Sequence, residues 1–98
     1  MIIRIVKMTF LPGKNLDFLR VFKENRMKIA SYPGCSYLEL IQDVHDENTF
    51  LTLSHWDKEE SLLAYRNSEL FNKVWEVTSA MFAEKAEAWS TERIENRE

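Results

Sequence analysis

Four aromatic side chains in the second half of the sequence could bind a flat organic molecule. They are Trp56, Tyr65, Phe71 and Trp75. Tyr65 and Trp75 lie ten positions apart, which is nearly three helical turns, so both side chains could line one wall. Aromatic rings stack on planar ligands, but they also fill protein cores. The sequence therefore allows two interpretations of these residues, a ligand pocket or ordinary core packing.

Two other side chains could manage the charge that forms when such a molecule loses a proton. His55 has an ordinary pKa of about 6.5, which suits proton abstraction from a phenol or quinol. Neighbours in a strand point to opposite faces, so His55 would face away from the helices if Trp56 faces them. Arg26 lies on the edge of a helical apolar stripe. It could pair with a substrate oxyanion, or it could reach solvent or bridge to a carboxylate.

Other chemistries find little support in the sequence. Cys35 is the single cysteine, and with no base or cation near it in the chain we interpret it as a small buried residue. His45 is predicted in a turn beside Asp43 and Asp46, where solvation is a simpler interpretation than metal binding. No Gly-rich phosphate loop, nucleophilic triad order or zinc-ligand spacing occurs. The sequence therefore contains no motif that indicates a metal site or a bound cofactor.

Apolar periodicity and turn residues predict seven elements that would position these side chains. The first strand is apolar on both faces, which indicates that it is covered on both sides. Asn15, Asp57 and Ser68 are the predicted N-caps of three helices. Residues 95–98 are expected to fray. The predicted strands cover residues 2–10, 35–43, 49–56 and 88–94, and the predicted helices cover 15–31, 57–66 and 68–82.

This order of elements predicts a single α+β domain over residues 1–98. Two βαβ-type halves around a central hairpin describe the ferredoxin-like split βαβ, with a four-stranded antiparallel sheet covered by helices on one face. The other face would then expose an apolar surface, so we predict a homodimer that pairs two sheet faces. The residues assigned to that face are Ile3, Ile5, Leu38, Leu40, Leu51, Leu53 and Trp89.

Composition excludes several classes of partner. The net charge of -3 and the pI of about 5.4 argue against a nucleic-acid-binding protein. No stretch approaches the roughly 18 consecutive apolar residues of a membrane span. The N-terminal segment carries Arg4 and Lys7 within its apolar run, which favours a strand over a signal peptide. Together with the single cysteine, these features predict a soluble cytoplasmic protein.

Several segments carry a resemblance to a known family. They are PGC at 33–35, SHW at 54–56, DKEES at 57–61 and AYRNSELF at 64–71. Through these segments and the closing strand, the sequence resembles the antibiotic biosynthesis monooxygenase-like (ABM) family of dimeric α/β barrels over nearly the whole chain. The spacing W-x2-E-E-S, followed by a helical S-x2-F, is moderately specific for the fold family and weakly specific for any one reaction.

The resemblance implies a small-molecule site between helices and sheet. The best-known enzymes of the family use no metal, flavin or nicotinamide and oxidise electron-rich aromatic substrates with dioxygen. A related branch degrades haem, and there a helical aromatic residue is followed ten positions later by the iron-ligating histidine. Those places fall on Tyr65 and Trp75 in this sequence, and an indole has no lone pair for iron. The strand-one asparagine of that branch falls near Val6, so we do not expect haem degradation by that mechanism.

Three functions remain open at this point. The first is a cofactor-independent monooxygenase-like protein that oxidises or binds a small aromatic or quinol-type molecule together with dioxygen. The four aromatic residues would form the walls of its pocket. His55 or Arg26 would take up the substrate's proton or stabilise the resulting negative charge. The second is a non-catalytic binder or sensor with the same pocket. The third is a structural dimer whose aromatic residues fill the core, and it predicts no cavity of ligand size.

Overall fold

The computed structural model describes residues 1–95 and contains a four-stranded antiparallel sheet with three helices. The strand order is β2-β3-β1-β4, and every neighbouring pair is antiparallel. This arrangement confirms the predicted α+β, ferredoxin-like architecture. The elements are β1 (Ile2–Thr9), α1 (Asn15–Ala30), β2 (Cys35–Gln42), β3 (Thr49–Trp56), α2 (Glu59–Arg66), α3 (Glu69–Ser79) and β4 (Glu87–Thr91).

The two faces of the sheet differ in what covers them. On the helix-covered face, cross-strand neighbours form the row Leu38, Ser54, Arg4 and Ser90, and the next row is Leu40, Thr52, Val6 and Ala88. On the uncovered face the rows are Tyr37, His55, Ile3 and Thr91, then Glu39, Leu53, Ile5 and Trp89, then Ile41, Leu51, Lys7 and Glu87.

The assignment of Leu38 and Leu40 to the uncovered face is wrong. The pairing of β2 with β3 shifts by one residue between Cys35 and Tyr37. Downstream of this irregularity, Leu38 lies opposite Ser54 and Leu40 opposite Thr52. A one-residue shift moves a whole strand pattern to the other face. Both leucines therefore face the helices, and Tyr37, Glu39 and Ile41 take the uncovered face.

The predicted N-cap is correct for one of the three helices. Ser68 caps α3, because its Oγ accepts a hydrogen bond of 3.1 Å from the Phe71 backbone N–H. The N-cap of α2 is Lys58 rather than Asp57, and the Asp57 carboxylate instead accepts a hydrogen bond from Ser61, which lowers the pKa of Asp57. The N-cap of α1 is Lys14 rather than Asn15.

The last predicted element is shorter than expected. The closing strand ends at Thr91 instead of Ile94. Of the tail predicted to fray, Glu95 lies in a turn, and 96–98 lie outside the described residues. Within residues 1–95, no helix is long and apolar enough to cross a membrane.

Gly34 directly precedes β2 and packs against the N-terminal end of α2. It has φ of +93°, a conformation that favours glycine. Its carbonyl accepts a hydrogen bond of 2.9 Å from the Asp57 backbone N–H. A β-carbon at this position would collide with the side chain of Ser61. The close approach holds the N-terminal end of α2 against the sheet.

Aromatic packing fills one end of the space between the helices and the sheet. Phe10 is 1% exposed, and its ring stacks on Phe18 at 4.3 Å between centroids. The Phe50 ring meets Phe10 edge-on at 5.8 Å. Met8 and Met81 complete this cluster, which we call the packed end. Close packing of these large rings is typical of a protein core.

Candidate functional site

A cavity of about 330 Å³ lies between the helices and the covered face of the sheet. Side chains from all four strands and all three helices line it. Ligand pockets usually fall between about 300 and 1,000 Å³, so this volume suits a small organic molecule. The cavity continues the layer beyond the packed end, with Met8 and Phe18 at the boundary. We call this region the hollow end.

The four aromatic residues singled out in the sequence all line this cavity. The Trp56 and Tyr65 rings stack with centroids 5.0 Å apart and an interplanar angle of 26°. Tyr65 meets Phe71 edge-on at 5.3 Å, and Phe71 stacks on Trp75 at 5.5 Å and 12°. The rings therefore form one continuous aromatic wall, assembled from the end of β3, the last turn of α2 and the first two turns of α3.

Local structure explains why the wall forms. The Ser68 cap starts α3 so that Phe71 and Trp75, four residues apart, share one helix face. The Ser68 Oγ also donates a hydrogen bond of 2.5 Å to the Tyr65 carbonyl. One serine therefore ties the end of α2 to the beginning of α3, and it sets the spacing of three of the four rings.

Trp56 is both a core residue and part of the wall. It is 1% exposed, and its Nε1–H donates a hydrogen bond of 2.9 Å to the Ser54 Oγ. The indole donor is therefore already paired within the protein. Since almost none of its ring is accessible, Trp56 contributes to the wall mainly as the ring on which Tyr65 stacks.

Tyr65 supplies a hydroxyl group to the wall. Burial, with a smaller contribution from Cys35, raises the pKa of Tyr65 to about 12. The phenol is therefore neutral near neutral pH, where it can donate or accept a hydrogen bond but cannot serve as an anionic base.

His55 does not face the cavity. It lies on the uncovered face of the sheet, and its ring centroid is 4.8 Å from that of Tyr37. Strand alternation separates it from Trp56, because successive side chains point to opposite faces. The structure therefore removes the basis for a general-base role of His55 toward a molecule in this cavity.

Arg26 also lies outside the cavity lining. Its Nη2 donates a hydrogen bond of 2.9 Å to the Leu38 carbonyl, and the guanidinium lies 5.6 Å from the centre of the Phe22 ring. These contacts correspond to a packing role at the junction of α1 and β2. They do not bring Arg26 to a substrate oxyanion in the cavity.

Two arginines that sequence reasoning missed do line the cavity, Arg4 and Arg66. Arg4 lies in the row between Ser54 and Ser90, and its Nη1 donates a hydrogen bond of 3.0 Å to the Ser90 Oγ. Burial and, second, the charge of Arg66 lower the pKa of Arg4. The available signal was the position of Arg4, which shares strand parity with the core-facing Val6 and Met8.

Metal binding finds no ligand set in the described residues. Within residues 1–95, no group of three His, Cys, Asp or Glu side chains could hold a metal ion. His45 lies in the hairpin turn, where its backbone N–H donates to Asp43. The Cys35 thiol donates to the Tyr37 carbonyl at 3.5 Å, and burial raises its pKa. Neither residue contributes to the cavity.

Comparisons with known proteins agree with this architecture. The family model described as antibiotic biosynthesis monooxygenase matches residues 1–76. A crystal structure of an antibiotic biosynthesis monooxygenase is 18% identical, with a TM-score of 0.89 over 96% of this chain and 99% of that chain. A conserved protein from Methanosarcina mazei Go1 is 22% identical, with a TM-score of 0.86 over 93% and 91%. A protein from Pseudomonas aeruginosa is also 22% identical, with a TM-score of 0.83 over 95% and 93%. No curated protein matches the chain.

Proposed function

Because the chain belongs to the antibiotic biosynthesis monooxygenase family, we propose that it is a cofactor-independent monooxygenase-like protein. Its substrate would be a small aromatic or quinol-type molecule bound in the hollow end, and dioxygen would be the oxidant. For an anthrone-type substrate, a ring methylene becomes a carbonyl, and the second oxygen atom leaves as water. The substrate itself then supplies all the electrons.

The observation that carries this proposal is the aromatic wall around a cavity of about 330 Å³. Tyr65, Phe71 and Trp75 are half-buried and border the cavity with aromatic rings, on which planar molecules stack. A partly enclosed cavity would also hold a substrate away from bulk water, which would protect an oxygen-sensitive carbanion or radical from side reactions. The protein's contribution would be binding, orientation and exclusion of water.

Oxygen consumption by the purified protein tests the proposal. The panel would contain hydroquinones, naphthols and anthrones, without added metal or flavin. We expect uptake above the autoxidation blank, reduced strongly in Tyr65→Phe and Trp75→Ala. Tyr37→Phe removes the same hydroxyl from the uncovered face and is the matched control, with uptake unchanged. Uptake that survives both cavity variants would contradict the placement of the site.

A second function, non-catalytic binding of the same class of molecule, is favoured by one observation. Within residues 1–95, the cavity lining includes no His, Lys, Asp or Glu, and Tyr65 stays neutral because of its raised pKa. No side chain of the lining is therefore an evident proton acceptor at neutral pH. Calorimetric binding of a panel molecule without oxygen uptake would decide for this alternative.

The proposal includes a homodimer that pairs the uncovered sheet faces. Leu53 and Ile5 lie side by side at the centre of that face, and Trp89 beside them is 44% exposed. Pairing two such faces about a two-fold axis would bury this apolar surface.

The location of the protein in the cytoplasm stays a prediction from the sequence.

Sedimentation velocity tests the dimer through Leu53→Asp. A carboxylate at the centre of the proposed interface should shift the protein to monomer mass, since a buried unpaired charge costs several kcal/mol. Val44→Asp makes a comparable apolar-to-acid change in the hairpin, where Val44 is 90% exposed, and should leave the mass unchanged. An unchanged mass for Leu53→Asp would count against pairing through this face.

A further inference from the structure

We propose that the cavity takes an aromatic molecule bearing an anionic group, such as a carboxylate, and that Arg4 and Arg66 bind that group. This inference rests on the proposed function, because it names the class of molecule for the same cavity. Neither family membership nor the aromatic wall requires a charged ligand. The argument comes from the sign, the position and the partners of the two arginines.

The charges around the cavity all have one sign. Arg4 and Arg66 are the charged side chains of the lining within residues 1–95, and no carboxylate accompanies them. The chain as a whole carries a net charge of -3, so the cavity departs from the average of the molecule. Two cations that converge on a partly enclosed space attract anions into it and disfavour cations.

Neither guanidinium is neutralised within the described chain. The ion pairs of residues 1–95 involve Lys7, Lys14, Arg20 and Lys73, and neither cavity arginine is among them. Arg4 has one side-chain hydrogen bond, to the neutral Ser90 hydroxyl, although a guanidinium carries five N–H donors. Burial first, and second the repulsion from the charge of Arg66, lower the pKa of Arg4. An anion between the two would relieve that repulsion and take up the free donors.

The arginine pair is continuous with the aromatic wall. Arg66 follows Tyr65 directly in α2. On the sheet, Arg4 lies beside Ser54, whose hydroxyl accepts the hydrogen bond from the Trp56 indole. Both arginines line the same cavity as the Trp56–Tyr65 stack, and Arg66 is exposed, which places it toward the solvent side. A flat ring on the wall with an acidic group directed at the arginines satisfies both features, whereas a neutral quinol uses only one.

Calorimetric titration with naphthoate and naphthamide tests this inference. The two probes share a ring system and differ in charge at neutral pH. We expect naphthoate to bind about tenfold more tightly, with the difference shrinking as ionic strength rises. Arg4→Gln and Arg66→Gln should each reduce naphthoate affinity about tenfold and leave naphthamide unchanged. Arg4→Lys, which keeps the charge but not the planar fork, should retain part of the preference.

The control is Arg20→Gln, which removes the same charge from the exposed side of α1, outside the cavity. It should keep the full preference for naphthoate. Equal affinity of the two probes for the wild-type protein would overturn the inference and leave the aromatic cavity of the proposed function standing. So would equal losses for both probes in the arginine variants at unchanged melting temperature. If neither probe binds, the inference fails together with the proposed binding site.

Discussion

Between the helices and the sheet, the two ends of one layer use the same kind of side chain to opposite effect. At the packed end, the Phe10 ring stacks at 4.3 Å on Phe18 and closes the space. At the hollow end, Trp56 stacks on Tyr65 and Trp75 stacks on Phe71. These rings border a cavity of about 330 Å³ instead of filling it. The packed end draws on β1, α1, β3 and the residues that closely follow β1 and α3, whereas the wall of the hollow end comes from β3, α2 and α3. The first group therefore fills a core, and the second group borders the cavity in which we propose the site.

The largest expected effect is a difference in unfolding free energy between ring removal at the packed end and ring removal at the hollow end. Phe10→Ala should lower the free energy of unfolding by about 3–5 kcal/mol, because a nearly fully buried ring leaves a cavity. Trp75→Ala should cost only about 1–2 kcal/mol, since Trp75 is half-buried and already borders open space. Urea unfolding of both variants measures the difference. Equal losses would mean that the wall is ordinary core.

Alkaline pH should destabilise the hollow end through Tyr65. Its pKa is about 12 in the folded protein and about 10 in an unfolded chain. The unfolded state therefore loses this proton first, so stability is intact below about pH 10 and falls as pH rises toward 12. A difference of two pKa units corresponds to an expected loss of about 2.7 kcal/mol. Comparison of wild type with Tyr65→Phe isolates it, and parallel pH profiles would contradict the burial of this hydroxyl.

Loss of the α3 cap should loosen the hollow end alone. Ser68→Ala removes the acceptor of the Phe71 N–H and the donor to the Tyr65 carbonyl. We expect a loss of about 1 kcal/mol in unfolding free energy, with weaker binding of any planar molecule. Ser31→Ala, at the end of α1, is the control and should leave ligand affinity unchanged. A ligand affinity that Ser68→Ala does not change would show that the cap does not set the wall.

The smallest effect concerns the junction of the two ends. Thr78 is 3% exposed and lines the cavity, and its hydroxyl has no hydrogen-bond partner within residues 1–95. Thr78→Val replaces that hydroxyl with a methyl group, so unfolding free energy should stay level or rise by up to about 1 kcal/mol. Thermal unfolding against wild type measures this. A clear loss would indicate a hydrogen bond to water in solution.

Sequence reasoning was strongest where the information is local. The bounds of β3 and the Ser68 cap follow from alternation and from a polar residue directly before an apolar helical stripe. Helical spacing singles out Tyr65, Phe71 and Trp75, and Trp56 is recognisable from its place at the end of a strand. In each case, a few neighbouring residues contain the whole signal.

The failures come from information that is not local. The bulge after Cys35 changes the face of Leu38 and Leu40, and no composition cue marks it. Arg4 and Arg66 are 62 positions apart, and the packing of α2 over the sheet places both in the lining of one cavity. The case of His55, predicted as a catalytic residue, differs, because strand alternation is a local signal and already directs His55 to the face opposite Trp56. The pattern of residues along the chain does not show which distant side chains come together in the fold.

The placement of the three tryptophans gives the protein built-in optical reporters. Trp56 is sealed at 1% exposure, Trp75 borders the cavity, and Trp89 stands 44% exposed on the uncovered face. A soluble collisional quencher should therefore reach Trp89 first and Trp56 last. A molecule in the cavity would change the emission of Trp75, and association through the sheet would shield Trp89. Single-tryptophan variants would thus report filling of the cavity and self-association as separate fluorescence signals.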